Sequence, residues 1–343
     1  MLSNLTVILA IFISPYPQFH YKIYASQCAT MPPPIKIYFL GTGGTTPFSL
    51  RKMPCIAMKY EGYLIVFDFG EFCQFSLIEK KLHPFRSKTY ILISHLHADH
   101  VGGLPTFLHT YNLIHSSKKI TIVGPTGTRN FIETITNLFG IEPVLDKLEI
   151  IEIIPEDESL KLVVEERNFR VYAFKTEHGV PSLGYVFREK DFRKFDEDKA
   201  KQYGIPSTRI RRTLLEGKPI RLFGRVIRPE DVIVTVPGRK IVYTGDTQPL
   251  QHLIKIAENA DLLIHEATFL GEQHRELAYE RYHSTIEDVC EIAKKARVKI
   301  LALVHISPRY SRKLDDILDY AKKLSESSNM KLIIPNDGDV VTI

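Results

Sequence analysis

Short apolar runs rich in Ile, Val, Leu, Phe and Tyr recur along this chain, separated by polar or Gly/Pro-containing breaks. In the first half they are "IKIYFLG" (35–41), "CIAMKY" (55–60), "YLIVFDFG" (63–70), "TYILIS" (89–94) and "KKITIVG" (118–124). The second half adds "DKLEIIEII", "FRVYAFKT", "SLGYVFRE", "KIVYTGD", "ADLLIHEA", "KILALVH" and "MKLIIP". Runs of this length and composition predict strands. Amphipathic spacing predicts helices over 126–140, 249–259, 284–296 and 311–326, the first ended by Gly140. Strands, then interspersed helices, then a second set of strands predict two sheets packed face to face with helices outside, an α/β fold. "GTGGTTP" reads as a turn and not a phosphate loop, since no GK[ST] follows it.

Residues 188–232 break the rhythm. "GIPS", "EGKP" and "RPED" are turn-like and core-type periodicity is poor, so the stretch reads as an inserted arm. Charge singles out the same stretch. The whole chain carries a net +5, whereas residues 199–228 hold nine cations (Lys199, Lys201, Arg209, Arg211, Arg212, Lys218, Arg221, Arg225 and Arg228) against the single acid Glu216, a local net of +8. A patch of this kind is a footprint for a polyanion.

Residues 1–30 contain a short apolar run, "LTVILAIFIS", with no Lys or Arg before it, so it makes a poor secretory signal. Met31 reads as the functional start, with 1–30 as an extension outside the fold and 31–343 as one large domain. No apolar run reaches the ~20 residues that span a bilayer. Cys28, Cys55, Cys73 and Cys290 are scattered, with no CxxC pair, which predicts reduced thiols and a cytoplasmic setting.

Four predicted strands end in metal-type ligands. "ILIS" leads to His95, His97, Asp99 and His100; "VYAFKTE" to His178; "KIVYTG" to Asp246; "ILALV" to His305. Loops at strand ends are where a rigid scaffold aims side chains at one point. Five histidines and two aspartates exceed one four-coordinate zinc. They suit two ions ~3.5–4 Å apart with a shared carboxylate. His95 and His97 share a side of an extended segment, while Asp99 and His100 lie beyond the strand where Gly102 and Gly103 permit a close turn.

"SHLHADHVGG" (94–103) resembles the signature of the metallo-β-lactamase superfamily, and further motifs resemble its ribonuclease Z (tRNase Z) branch. These are "FDFGE" (67–71), "TEHGVPSLGY" (176–185), "YTGDT" (243–247), "HEATF" (265–269), "YHST" (282–285) and "HISPRY" (305–310). The resemblance implies a metallo-β-lactamase-like αββα sandwich of two mixed sheets. It implies one zinc on His95, His97 and His178, a second on Asp99, His100 and His305, and Asp246 between them. Asp68 would stiffen the histidine loop, and Glu266 with His283 would stand beside the scissile phosphate. Arg309, with Arg209, Arg211, Arg212, Lys218 and Arg221 of the arm, would hold substrate. Two stretches depart from the family pattern: "TPFSLRKMP" (46–54) and the arm segment "GIPSTRIRRTLLEGKP" (204–219), basic and poor in glycine.

The activity so implied is removal of the 3′ trailer of precursor tRNA by metal-hydroxide attack on a phosphodiester, leaving a 3′-hydroxyl on the tRNA, in a homodimer. Asp99 would orient the attacking water, and His283, held by Glu266, would protonate the leaving oxygen. Ser284 is expected to cap the following helix, with Asp288 near. Zinc suits these ligands, and manganese or iron also fits such mixed sites. Two other readings remain: a general metallo-hydrolase of small phosphodiesters or thioesters on the same dinuclear site, and a non-catalytic RNA-binding relative. The basic arm argues against the first and the intact ligand set against the second.

Overall fold

A computed structural model describes residues 33–46, 51–114, 118–154, 159–206, 209–310, 314–326 and 328–343. The expected 1–30 extension lies outside these residues, as do parts of the 46–54 and 204–219 stretches. The strands are β1 Lys36–Gly41, β2 Cys55–Tyr60, β3 Tyr63–Phe67, β4 Lys88–Leu92, β5 Ile120–Pro125, β6 Leu148–Ile153, β7 Lys161–Glu165, β8 Phe169–Lys175, β9 Leu183–Glu189, β10 Phe192–Phe195, β11 Ile220–Leu222, β12 Arg225–Ile227, β13 Ile233–Val236, β14 Lys240–Tyr243, β15 Leu262–Glu266, β16 Ile300–Val304, β17 Lys331–Ile333 and β18 Val340–Thr342.

Two compact units appear. The larger contains both main sheets and includes residues 31–192 and 235–343. Its first sheet runs β18-β1-β2-β3-β4-β5-β6 and its second β17-β16-β15-β14-β9-β8-β7. β3 to β6 pair in parallel, as do β14 to β17, so each sheet is mixed. Parallel strands covered on both faces read as continuous apolar runs, which is why β4, β5, β15 and β16 were plain in the sequence. Phe39, Phe67, Tyr185, Phe187 and Ile264 fill the space between the sheets. The other face of each sheet packs on helices, Leu104–Leu113 against the first and Ile286–Lys295 against the second. The layer order is therefore helix, sheet, sheet, helix.

The second unit holds residues 193–234, so Arg188 and Glu189 belong to β9 of the larger unit. Contrary to the poor periodicity of its sequence, it has a small core of Phe195, Ala200, Ile205, Leu214, Ile227 and Val232. These come from short elements whose apolar residues are too few per turn to register as a pattern. Helices Glu197–Gln202 and Arg209–Leu215 precede a β11–β12 hairpin. Its turn residues Phe223 and Gly224 both have positive φ, 50° and 75°, the backbone of a two-residue type I′ turn.

Several local expectations change. The helix expected over 249–259 shrinks to Leu253–Ile256, because Pro249 lacks a donor and Asn259 turns left-handed at φ 54°. Thr285, not Ser284, caps the next helix: its hydroxyl accepts from Asp288 N while the Asp288 carboxylate accepts from Thr285. The Ser284 hydroxyl instead donates to Thr247 O at 2.8 Å. The expectation of unpaired cysteines also fails, since Cys55 and Cys73 form a disulfide across 18 residues. Pairing follows proximity in the fold, and scattered spacing conceals it. Among the described residues, no helix is long and apolar enough to cross a membrane.

Candidate metal centre and active site

The seven proposed donors meet at one edge of the sandwich. Four follow β4 of the first sheet; His178, Asp246 and His305 follow β8, β14 and β16 of the second. They fall into two groups, His95/His97/His178 and Asp99/His100/Asp246/His305, each with one ligand atom per residue within 4.8 Å of the others. His97 Nδ1 lies 3.0 Å from His95 Nε2 and 3.2 Å from His178 Nε2. Asp246 stands between the groups, its Oδ2 3.2 Å from His305 Nε2, 3.4 Å from His100 Nε2 and 3.7 Å from His178 Nε2. Asp99 Oδ2 is 3.4 Å from His305 Nε2.

The chain fixes which nitrogen of four imidazoles faces the centre. His100 Nδ1 donates to Asp68 at 2.7 Å, and His178 Nδ1 to the Tyr282 carbonyl at 3.0 Å. His95 Nδ1 is 3.0 Å from Ser94 Oγ, and His305 Nδ1 is 2.9 Å from Thr268 Oγ1. In each case Nε2 is left for a cation, the usual arrangement around a bound metal. Asp68 is fully buried in the left-handed region at φ 56° and also accepts from Ser94 N, Ser94 Oγ and the Tyr243 hydroxyl. Gly103 is needed for close approach and not for an unusual φ: a Cβ there would stand 2.3 Å from Gly70 O. The helix Ala98–Val101 is thereby seated on the loop that carries Asp68.

The donor set fits divalent cations. His100 Nε2 and Asp246 Oδ1 are buried and lack a hydrogen-bond partner, although the two side chains approach at 3.4 Å. Buried polar atoms are rarely left so. Burial, and next the neighbouring His100, hold His95 well below its ordinary pKa, toward the neutral ligand form. Burial pushes Asp246 up, but His305 and His100 outweigh it and hold the carboxylate ionised.

Beside the metal groups stands a second cluster. His283 Nδ1 lies 2.8 Å from Glu266 Oε1. Glu266 is fully buried and also accepts from Thr247 N, Ser284 N, Thr268 N and Thr268 Oγ1. Burial pushes His283 down, but Glu266 outweighs it and raises the imidazole to about 9. His283 also falls within metal-holding distance of His178 and Asp246, so its placement admits a ligand role too. Arg309 is exposed, its guanidinium 5.5 Å from the Phe269 ring centroid, and that ring is 6.0 Å from His283.

The arm cations differ among themselves. Arg211 is engaged, bidentate to Glu197 at 2.7 and 3.0 Å and stacked on Phe195. Arg212 and Lys218 both approach Glu216. Arg209 opens a helix. Arg221 is exposed and unpaired among the described residues. Sequence reasoning missed Ser94, Tyr243 and Thr268, whose only signal was adjacency to the histidine run, to "TGDT" and to "HEATF".

Comparison with known proteins decides the family. A ribonuclease Z of Thermococcus kodakarensis is 40% identical over 312 residues, covering 90% of this chain and 95% of that protein. A ribonuclease Z of Saccharolobus solfataricus is 37% identical over 309 residues, covering 90% and 99%. The chain belongs to the ribonuclease Z family. Accordingly it is a hydrolase of the endoribonuclease type, and with this donor set membership means a divalent-metal site. The crystal structure of the short form of human tRNase Z superimposes on this ribonuclease Z with a TM-score of 0.63 at 27% identity, covering 89% of this chain and 98% of that one. The fold is that of the metallo-β-lactamases. YhfI of Bacillus subtilis, at 17% identity and a TM-score of 0.63, shares the fold. Family models match piecewise: one described as the anti-Pycsar protein Apyc1 over 35–201, one as a beta-lactamase superfamily domain over 194–306.

Proposed function

We propose that this ribonuclease Z removes the 3′ trailer of precursor tRNA using two zinc ions per chain, one on His95, His97 and His178, the other on Asp99, His100 and His305, with Asp246 shared. The observation that carries the reading is Asp246 Oδ2 lying within 3.7 Å of imidazoles from both groups. When bound, the metal pair supplies Lewis acidity and an acidified water. The rest falls to side chains. Asp99, at the edge of the second group, orients the attacking water. His283 carries a proton at neutral pH because of Glu266 and delivers it to the leaving 3′-oxygen, so the tRNA keeps a 3′-hydroxyl. Glu266, locked by four further hydrogen bonds, orients the imidazole. Arg309 steadies the RNA backbone near the scissile bond.

The arm holds the body of the tRNA. Supporting this, Phe223 is 82% exposed at the tip of the hairpin, between Arg221 and Arg225. An exposed aromatic between two guanidinium groups suits base stacking beside phosphates. Arg209, Arg212 and Lys218 add charge, while Arg211 contributes through the arm's own packing. A homodimer is supported by the helix Cys73–Glu79, where Phe72, Phe75 and Ile78 form an apolar strip 49%, 71% and 61% exposed. With precursor tRNA as substrate, the enzyme works in the cytoplasm. The test is cleavage of a precursor tRNA carrying a 3′ trailer by the purified, zinc-loaded protein. Hydrolysis of small phosphodiesters with no cleavage of precursor tRNA would return the reading to a general metallo-hydrolase.

A further inference from the structure

Three basic residues stand in direct register on three neighbouring strands of the second sheet. Arg170 of β8 is the cross-strand partner of Arg188 of β9, and Arg188 is the partner of Lys240 of β14. Directly opposed residues share a face, and like charges so placed repel. The face is the helix side, since Val186 and Val242, two positions on, pack under the helices. The helix layer ends at this row, where Lys240 Nζ donates to Ile256 O at 3.2 Å.

Counter-charge is incomplete. Glu165 serves both Arg170, at 2.9 Å, and Lys190, at 3.3 Å. Glu189 is buried against Tyr60 and Arg239, and Asp191 accepts from Gly238 N. Glu258 and Asp261 face Lys240 but are paired with Arg297 and Lys299. Arg188 is exposed and has no ion pair among the described residues. Burial first, and then Arg188, lower the pKa of the Lys240 ammonium, with Glu258 and Asp261 opposing them. A cleft of about 320 Å³ opens here, lined by Arg170, Tyr172, Arg188, Glu189, Lys190 and Asp191. A carboxylate of the neighbouring strand, Glu165 of β7, stands directly opposite Arg170, while Arg188 in the middle of the row is left without one.

We propose that this cleft, built from residues outside the arm, is a binding site for the phosphodiester backbone of the RNA substrate, separate from the metal centre. The inference rests on the ribonuclease Z reading. Arg170, Arg188 and Lys190 line the cleft itself, and Lys240, tied to Ile256 O, extends the row to two strand spacings, about 10 Å, wider than one phosphate and suited to consecutive phosphates of a chain. Tyr172 adds a half-buried aromatic wall. The row lies at the end of the sheet away from the metal centre: five residues of β8 beyond Arg170, about 17 Å, precede the turn to His178. It therefore contacts RNA remote from the scissile bond.

The test is binding of precursor tRNA by Arg188→Glu, beside Lys119→Glu as a charge-matched control at the exposed residue just before β5, at several salt concentrations. Arg188→Glu is expected to weaken binding about tenfold near 0.1 M salt and to reduce the salt slope by about one. Its melting temperature should not fall, because the change relieves repulsion with Arg170 and Lys240. Arg188→Gln should show the same binding loss to a smaller degree and serves if the glutamate variant fails to fold. Wild-type affinity and slope in the Arg188 variants, or an equal loss in Lys119→Glu, would overturn the proposal. Failure of the wild-type enzyme to cleave precursor tRNA would count against the functional reading instead.

Discussion

His283 Nδ1 sits 2.8 Å from Glu266 Oε1, and every remaining contact of that carboxylate is to a residue that packs beside the metal centre. The pair is thus tied to the centre while His283 still reaches solvent. His283→Ala should lower kcat by ~10²-fold or more with metal content unchanged, as expected for loss of a proton donor. Metal analysis by mass spectrometry separates the roles: a variant that loses an ion marks His283 as a ligand.

Asp246 stands between the two donor groups, so the loss of a shared ligand there should be felt by both. Zinc-reconstituted enzyme should hold about two ions per chain, and Asp246→Ala fewer, with cleavage falling by ~10³-fold or more. A wild-type stoichiometry that never exceeds one would remove the shared-ligand role.

The hairpin tip offers a cleaner probe of the arm than Arg211, whose contacts with Glu197 and Phe195 are structural. Phe223→Ala and Arg221→Glu should each weaken precursor-tRNA binding about tenfold, within the range for one stacked base or one lost phosphate contact. Only Arg221→Glu should flatten the salt dependence. Hydrolysis of a small chromogenic phosphodiester should change little in either, and parallel losses there would make the arm a folding element.

The donor set was legible because each donor directly follows an apolar strand, and a strand fixes where its end points. His178 and His305, unremarkable alone, gained meaning from that shared position. The orienting hydroxyls of Ser94 and Thr268 were not legible: serine and threonine are common at turns, and only the folded chain shows their hydroxyls on imidazole nitrogens. The same ambiguity misassigned the helix cap, since Ser284 and Thr285 have equal capping chemistry and Thr247 O decides between them. β7 and β18 escaped as edge strands of only five and three residues, too short to show a period.

Glu189 and Arg239 supply a pH-dependent share of stability. Burial pushes the Glu189 carboxyl up, but hydrogen bonds from Arg239 outweigh it and leave it below the ordinary value. A depressed carboxylate stabilises fully above its unfolded pKa of ~4.3 and loses that contribution as pH falls through the lower folded value. Glu189→Gln should therefore cost about 3 kcal/mol at pH 7, with the gap to wild type closing in acid. Denaturant melts across pH 3 to 7 check this, and a gap that persists in acid would assign the loss to packing.

The Glu189 cluster also pins the two sheets together: Tyr60 of the first sheet donates to Glu189 of the second, and Arg239 reaches the carbonyls of Pro33 and Ile343. Four donors of the metal centre, at the opposite edge, belong to the first sheet, and three to the second. Ions held by these residues would be a removable cross-link between the halves of the sandwich, opposite a permanent one. Chelation should then loosen one edge and leave the other closed: hydrogen exchange would rise in the turns after β4, β8, β14 and β16 and stay slow around Tyr60, with the loss reversed when metal is returned.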